Sequence, residues 1–107
     1  GSDTLSLRIS SSQTVFEAFG NAATTNNHNS SRFGKFTKLL FDAEGRVRGG
    51  DVTIYLLEKS RLVLQNRGER SFHSLYQLLL STGNDALRSK LDLPSDLASV
   101  RYVNQSG

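Results

Sequence analysis

Apolar residues recur with helical spacing in two stretches of the chain and with strand alternation in a third. Around Thr14, where Thr14-x-x-Glu17 forms a capping box, Val15, Phe16, Phe19 and Ala22 fall near one helical face, and Leu5 and Ile9 extend the same stripe upstream. Between Ala23 and Ser31 the periodicity vanishes. Thr, Asn, His and Ser take over, residues whose short side chains bond nearby backbone and favour a loop. From Phe33 to Phe41 the composition reads as a strand, and Asp42-Ala43-Glu44-Gly45 supplies turn chemistry. A second strand follows, with Val52, Ile54 and Leu56 alternating against Asp51, Thr53 and Tyr55, and Gly49-Gly50 marking a bulge or bend. The two strands pair as an antiparallel hairpin. Arg61 to Gln65 reads as a third short strand or an extended connection. Ser71 then N-caps a helix whose Phe72, Leu75, Tyr76, Leu79 and Leu80 share a face, and Gly83 closes it. A short helix from Asn84 to about Leu91, the breaker Pro94, and a turn or helix from Ser95 to Ser99 complete the pattern. The fold class is mixed α/β.

Composition narrows the chemistry. The chain has 107 residues, 36% of them hydrophobic, with no Trp, so a core of this size buries only about 60–68% of the unfolded surface and stability is thin. Zero Cys excludes a disulfide scaffold and any thiolate metal or redox site, and the two histidines, His28 and His73, cannot build a metal cage unaided. No apolar run approaches the roughly 20 residues that cross a bilayer, and no signal-peptide order is present, so a cytoplasmic, reducing compartment without membrane insertion is expected. The formal net charge of +3 is mild, a solvated basic surface rather than a dense tract. The chain holds no Met and opens Gly1-Ser2, as expected of a processed product or an excised piece.

The loop Asn26-Asn27-His28-Asn29-Ser30-Ser31-Arg32 concentrates amides, two hydroxyls and a guanidinium. Such a set suits a phosphate and its Mg²⁺: amides donate to phosphate oxygens, a hydroxyl is one of the hard oxygen ligands Mg²⁺ takes, and Arg pairs bidentately with phosphate or carboxylate. Taken alone, the loop reads as a solvated Asn/Ser connection before it reads as a phosphate site.

Its neighbourhood is more specific. Glu17-Ala18-Phe19-Gly20-Asn21-Ala22 precedes Asn27-x-Asn29-Ser30-Ser31-Arg32-Phe33-Gly34-Lys35-Phe36. Tyr55-Leu56-Leu57-Glu58-Lys59-Ser60-Arg61, Gly68-Glu69-Arg70, Phe72-His73, Tyr76-Gln77-Leu78-Leu79 and Asn104-Gln105-Ser106-Gly107 follow. In this order the motifs closely resemble the myosin motor domain, from after its first surface loop through switch I into the upper 50-kDa subdomain. Ser-Ser-Arg also occurs in the switch I of kinesins, but there Ser-His follows it; the Phe33-Gly34-Lys35 here is similar to myosin.

The resemblance implies a helix over 5–24, switch I over 25–35, strands of the central twisted sheet of P-loop NTPase type and the transducer hairpin over 33–65, and a helical upper 50-kDa segment over 71–107. It implies an actin-based, ATP-driven motor with Mg²⁺ as cofactor, ATP as substrate, and F-actin and the remainder of the motor domain as partners, associated with the cytoskeleton. Asn27 and Asn29 match nucleotide-binding positions, and Ser31 matches the hydroxyl that ligates Mg²⁺. Ser30 matches the serine beside the γ-phosphate and the attacking water. Arg32 matches the arginine that salt-bridges the switch II glutamate and so closes the site. Ser30 and Arg32 are therefore the expected catalytic pair. Ala23 and Asn26 replace usual basic residues, His28 a usual Asn or Asp, Thr14 a frequent Pro and Ser71 a frequent Asn, departures expected of a divergent, unconventional myosin.

No Gly-x-x-x-x-Gly-Lys-[Ser/Thr] occurs, and Asp42-Ala43-Glu44-Gly45 reads as turn chemistry rather than switch II. The segment alone is therefore expected to be inactive. Two other readings stand beside the motor: a catalytically inactive myosin-like scaffold, and a stand-alone basic interaction or nucleic-acid-binding module. The last requires exposed aromatics interleaved with Lys and Arg. Phe16, Phe19, Phe33, Phe36, Phe41 and Phe72 sit instead at stripe or strand positions that predict core packing. His73 is expected to pack or cap, His28 to be solvated, and Arg61, Arg67 and Arg70 with Glu58 and Glu69 to form a paired surface or interdomain contact.

Overall fold

The computed structural model describes residues 2–81 and 83–105, so the last two residues of the Asn104–Gly107 motif lie outside the described part. Helix α1 spans Ser2–Gly20 without a break. Thr14 and Glu17 lie inside it rather than at its start, because no Gly or Pro interrupts the chain upstream and the Leu5–Ile9 stripe carries the helix through; the Ser12 hydroxyl donates to the Ile9 carbonyl at 2.7 Å within it. The helix stops at Gly20, short of the expected 24, and Asn21–Ala22 turns into β1.

Strand β1 pairs antiparallel with β2, Ser30–Ser31, in the register Asn21↔Ser31 and Ala22↔Ser30. The longer hairpin joins β3, Gly34–Phe41, to β4, Val47–Tyr55. Its turn is held by Asp42, which accepts from the Glu44 and Arg46 amides and from the Arg46 and Arg48 guanidinium groups. The Arg46 amide bond is the largest influence holding the Asp42 carboxyl below its ordinary value. The register shifts between Leu40, opposite Gly49, and Phe41, opposite Val47. The extra residue is Arg48, one position before the glycines expected to carry the irregularity, and its side chain is drawn to Asp42.

Three expectations give way beyond the hairpin. Strand β4 ends at Tyr55, and Leu56 takes φ +56° and is 85% exposed instead of continuing the Val52–Ile54 face. That left-handed residue turns the chain back, so that the Glu58 amide donates to the Arg32 carbonyl at 2.9 Å. Residues 61–65 form neither a strand nor an extended link: Lys59–Leu62 is a 3₁₀ turn, tightened by the Gln65 side chain, whose Nε2 donates to the Arg61 carbonyl at 2.7 Å. Helix α2 spans His73–Leu80 with Phe72 at its N-cap position, and Ser71 does not cap it. The Ser71 hydroxyl, fully buried, instead donates to the Arg61 carbonyl, and its amide donates to the Tyr76 hydroxyl. Helix α3, Asp85–Lys90, is capped by the Asn84 side chain accepting from the Leu87 amide, and a second 3₁₀ turn spans Leu97–Ser99.

With extents of 56 × 34 × 18 Å the molecule is too thin to enclose much. Its buried apolar residues are Ala22 and Phe72, which meet across an isolated antiparallel bridge. Phe19, Phe36 and Phe41, expected in a core, are exposed, as are Leu39 and Leu40. Alternation put these aromatics on faces of helix and strand, but among the described residues no layer covers those faces. Among the described residues one aromatic pair forms, Phe16 with Phe33, ring centroids 6.5 Å apart.

Gly20 owes its identity to Phe33, since a Cβ there would lie 2.2 Å from the ring. Alanine brings up to about 1 kcal/mol of helix propensity, but overpacking against a ring already backed by Phe16 costs about 1–3 kcal/mol. Gly20→Ala is therefore expected to accelerate hydrogen exchange at the Arg32 amide, which donates to the Gly20 carbonyl; unchanged or slower exchange contradicts the packing argument.

Candidate functional site

The polar loop between β1 and β2 is shaped by its own side chains. Thr24 Oγ1 accepts from the Asn27 amide at 3.1 Å, the Thr24 amide donates to the Asn27 carbonyl at 2.8 Å, and Asn27 Oδ1 accepts from the Asn29 amide at 2.8 Å. These local bonds are why Asn and Thr displaced helix formers here. Both ends of the loop are tied to the rest of the chain, the Arg70 amide donating to the Ala23 carbonyl and the Arg32 amide to the Gly20 carbonyl.

The expected site residues separate into two groups. Asn29 is turned toward the scaffold: its Nδ2 donates to Glu17 Oε2 at 3.3 Å, and its Oδ1 accepts from Asn21 Nδ2 at 3.1 Å and sits 2.9 Å from His73 Nε2. His73 thus reaches across from α2 to the loop instead of capping its helix, while His28 is exposed. Asn27 is exposed, with Nδ2 unpartnered among the described residues.

Residues 30–32 form the second group. Ser30 Oγ accepts from Arg32 Nη1 at 3.2 Å. Ser31 is exposed, and its hydroxyl donates to the Phe33 carbonyl at 3.1 Å, which leaves the oxygen lone pairs open. Arg32 Nε donates to Glu58 Oε2 at 2.5 Å, a pair whose side chains are each about one-third exposed.

Glu58 continues the chain of charges inward. Its carboxylate accepts from Arg61 Nε and Nη2, and Arg61 Nη1 donates to Glu69 Oε2 at 2.9 Å and to the Arg70 carbonyl at 3.1 Å. The pairing expected of Arg61 with Glu58 and Glu69 thus forms, but with Arg61 only 5% exposed it is a largely buried network rather than a surface one. Burial alone would push the Glu58 carboxyl up, but hydrogen bonds and charge from Arg32 and Arg61 outweigh it and hold the group below its ordinary value. Burial likewise works against the Arg61 cation, and bonds to Glu69 and Glu58 more than restore it. Arg70 lies 5.3 Å from the Tyr76 ring centroid. The sequence held one signal for the network, the i, i+3 spacing of Glu58 and Arg61; nothing in it paired Glu58 with Arg32, 26 residues away.

Four arginines are paired within the chain: Arg46 and Arg48, both largely exposed, at Asp42, the buried Arg61 at two carboxylates, and Arg88 at the Leu79 and Pro94 carbonyls. No helix among the described residues is long and apolar enough to cross a membrane.

The loop thus offers an exposed hydroxyl beside a guanidinium held from behind by a carboxylate, and comparison with known proteins shows the class of protein that carries it. The family model for the myosin head (motor domain) matches residues 2–107. Myosin-3 of Caenorhabditis elegans is 48% identical over 104 residues, covering 96% of this chain and 5% of that protein. Unconventional myosin-Id of Homo sapiens is 53% identical over 93 residues, covering 87% of this chain and 9% of that protein, and unconventional myosin-Ih of Mus musculus is 52% identical over 91 residues, 85% and 9%. The chain belongs to the myosin motor-domain family and spans less than a tenth of the length of these relatives.

Proposed function

We propose that this chain is the switch I and transducer segment of an actin-based, ATP-driven motor. The observation that carries the reading is the division of labour over three consecutive residues: Ser30 Oγ faces the Arg32 guanidinium, Ser31 presents free lone pairs outward, and Arg32 is fixed on Glu58. Among the described residues no group of three His, Asp or Glu could hold a metal ion, so Ser31 would contribute one oxygen to a Mg²⁺ whose other ligands are phosphate oxygens, water and residues elsewhere in the motor. Mg²⁺ would supply charge neutralisation of the phosphates. Asn27 Nδ2, exposed and uncommitted, would donate to a phosphate oxygen, and Ser30 would orient the attacking water. Asn29, bonded to Glu17, Asn21 and His73, would act by holding the loop rather than by touching nucleotide. Arg32 would meet the switch II glutamate and close the site.

The hairpin fits the transducer part of the reading. Its uncovered Phe36, Leu39, Leu40 and Phe41 are what further strands and helices of a larger twisted sheet would cover, and β3 leads directly out of residues 30–32. The segment alone, lacking a phosphate-binding Gly-Lys-[Ser/Thr] loop, would not turn over ATP.

Ser31→Ala in a motor domain that includes this segment tests the assignment. Loss of one hard oxygen ligand is expected to raise the Mg²⁺ concentration needed for half-maximal nucleotide binding by about tenfold or more, with Mg²⁺-free binding unchanged. An unaltered Mg²⁺ requirement would remove Ser31 from the metal shell.

A further inference from the structure

Among the described residues the Arg32 side chain is reached by one residue outside its own loop, Glu58, and that residue is held in place twice. The Glu58 amide donates to the Arg32 carbonyl, fixing backbone to backbone, while the Glu58 carboxylate takes Arg32 Nε on one side and Arg61 Nε and Nη2 on the other. Arg61 is anchored behind it by Glu69 and the Arg70 carbonyl, and Arg70 in turn donates to Ala23 at the far end of the loop. The left-handed Leu56 is what delivers Glu58 to this position. Arg32 Nη1 is thereby placed on Ser30 Oγ, and Nη2 is uncommitted among the described residues.

We propose that Glu58 is a positioning residue for the Ser30–Arg32 arm. Gripping the guanidinium by Nε alone, it fixes the plane of the group so that Nη1 orients the Ser30 hydroxyl and Nη2 is presented to a second carboxylate. An unheld arginine has many rotamers to lose before it can make either contact; one already ordered by Glu58 meets its second partner at a smaller entropic cost. Arg61 keeps the carboxylate ionised and aimed. The proposal rests on the reading of residues 30–32 as the nucleotide-responsive arm, and it adds that the arm's geometry is set from the segment following β4.

A double-mutant cycle on the hydrolysis step, measured in single turnovers of a motor domain that includes this segment, tests it. Glu58→Gln, nearly the same shape, is expected to slow hydrolysis about tenfold, the size of a lost charge-assisted hydrogen bond, while nucleotide affinity stays within about twofold. In an Arg32→Ala background the same substitution is expected to change almost nothing, because Glu58 acts through Arg32. A merely structural role predicts the opposite, an effect of equal size in both backgrounds, and that result overturns the proposal. Normal hydrolysis in Glu58→Gln beside slow hydrolysis in Arg32→Ala also overturns it and leaves the arm's own assignment intact. Normal hydrolysis in Arg32→Ala sinks the assignment of the arm, and the proposal with it. If Glu58→Gln does not fold, Glu58→Asp keeps the charge but withdraws it by one methylene, and the same cycle with the same outcomes applies.

Discussion

Arg61→Met is expected to open the 58–70 segment more than any other single change in the chain. Arg61 donates four hydrogen bonds, two to Glu58, one to Glu69 and one to the Arg70 carbonyl, from a position 5% exposed. Met fills much of the same volume but leaves Glu69, whose side chain is 14% exposed, without its cation. Breaking one partner out of a buried ion pair costs about 3–5 kcal/mol, whereas a surface pair contributes about 0–1 kcal/mol, so burial decides the magnitude. At a factor of ten for each 1.4 kcal/mol, amide exchange at Glu58 and Arg70 should accelerate roughly 10²- to 10⁴-fold. Arg61→Lys keeps the charge and loses the planar fork, so it should fall between Met and the native residue. Exchange at the native rate in the Met variant would show that the network adds nothing to stability.

Acid acts on the same network from the carboxylate side. The Glu58 carboxyl, with a reference value of 4.5, sits lower in the folded chain, and Arg61 is charged throughout. A lowered folded value means that the stabilisation is fully present above about pH 4.5 and is lost as pH falls through the folded value, since protonation then favours the open state. The Glu58 and Arg70 amides should therefore exchange faster, as the solution is acidified below that point, than the mid-strand amides of β3 and β4 away from the Asp42 turn, which is itself held by a lowered carboxyl.

How far the fold was readable depends on whether each contact was local. The helical stripe of α1, the β3–β4 hairpin, the short helix that follows Gly83 and the polar character of residues 23–29 all follow from neighbours within a few positions, and each formed. Ser71 failed as a cap because its hydroxyl found a distant acceptor, the Arg61 carbonyl, that no local rule could anticipate. Leu56 failed as a strand residue because the chain needs a sharp return there, and a left-handed turn normally announces itself by Gly or Asn. The aromatics were placed on the expected faces but remain uncovered, since alternation says which face is apolar and nothing about what lies against it. The loop's chemistry was legible in its residue types. The ionic support behind it was legible in part: Arg61 was expected to pair with Glu58 and Glu69 and does, whereas Arg32 comes from a turn of the chain 26 residues from Glu58 and nothing along the sequence joined it to that set.

Arg32→Ala is expected to have the largest effect on chemistry. Phosphoryl transfer draws its acceleration from positioning and from charge placed where charge develops, so the loss of one well-placed cation weighs more heavily than the loss of a binding contact. Removal of Arg32 frees Ser30 Oγ from its donor, leaves Glu58 with Arg61 alone, and deletes the group that would meet a second carboxylate when the site closes. Removal of a comparable electrostatic donor costs about 10²–10³ in rate, and that is the expected loss in the hydrolysis step of a motor domain that includes this segment. Nucleotide affinity should change far less, because the Asn27 side-chain amide and the Ser31 hydroxyl, the groups proposed to meet phosphate and Mg²⁺, are untouched. Arg32→Lys should recover little: a point charge cannot hold Glu58 by one nitrogen while donating to Ser30 from a second in the same plane. Rapid-quench measurement of the hydrolysis step beside equilibrium nucleotide binding separates the two quantities. Equal losses in both would make Arg32 a binding residue, and a full-rate lysine variant would mean that charge alone, rather than the planar geometry fixed by Glu58, is what the site uses.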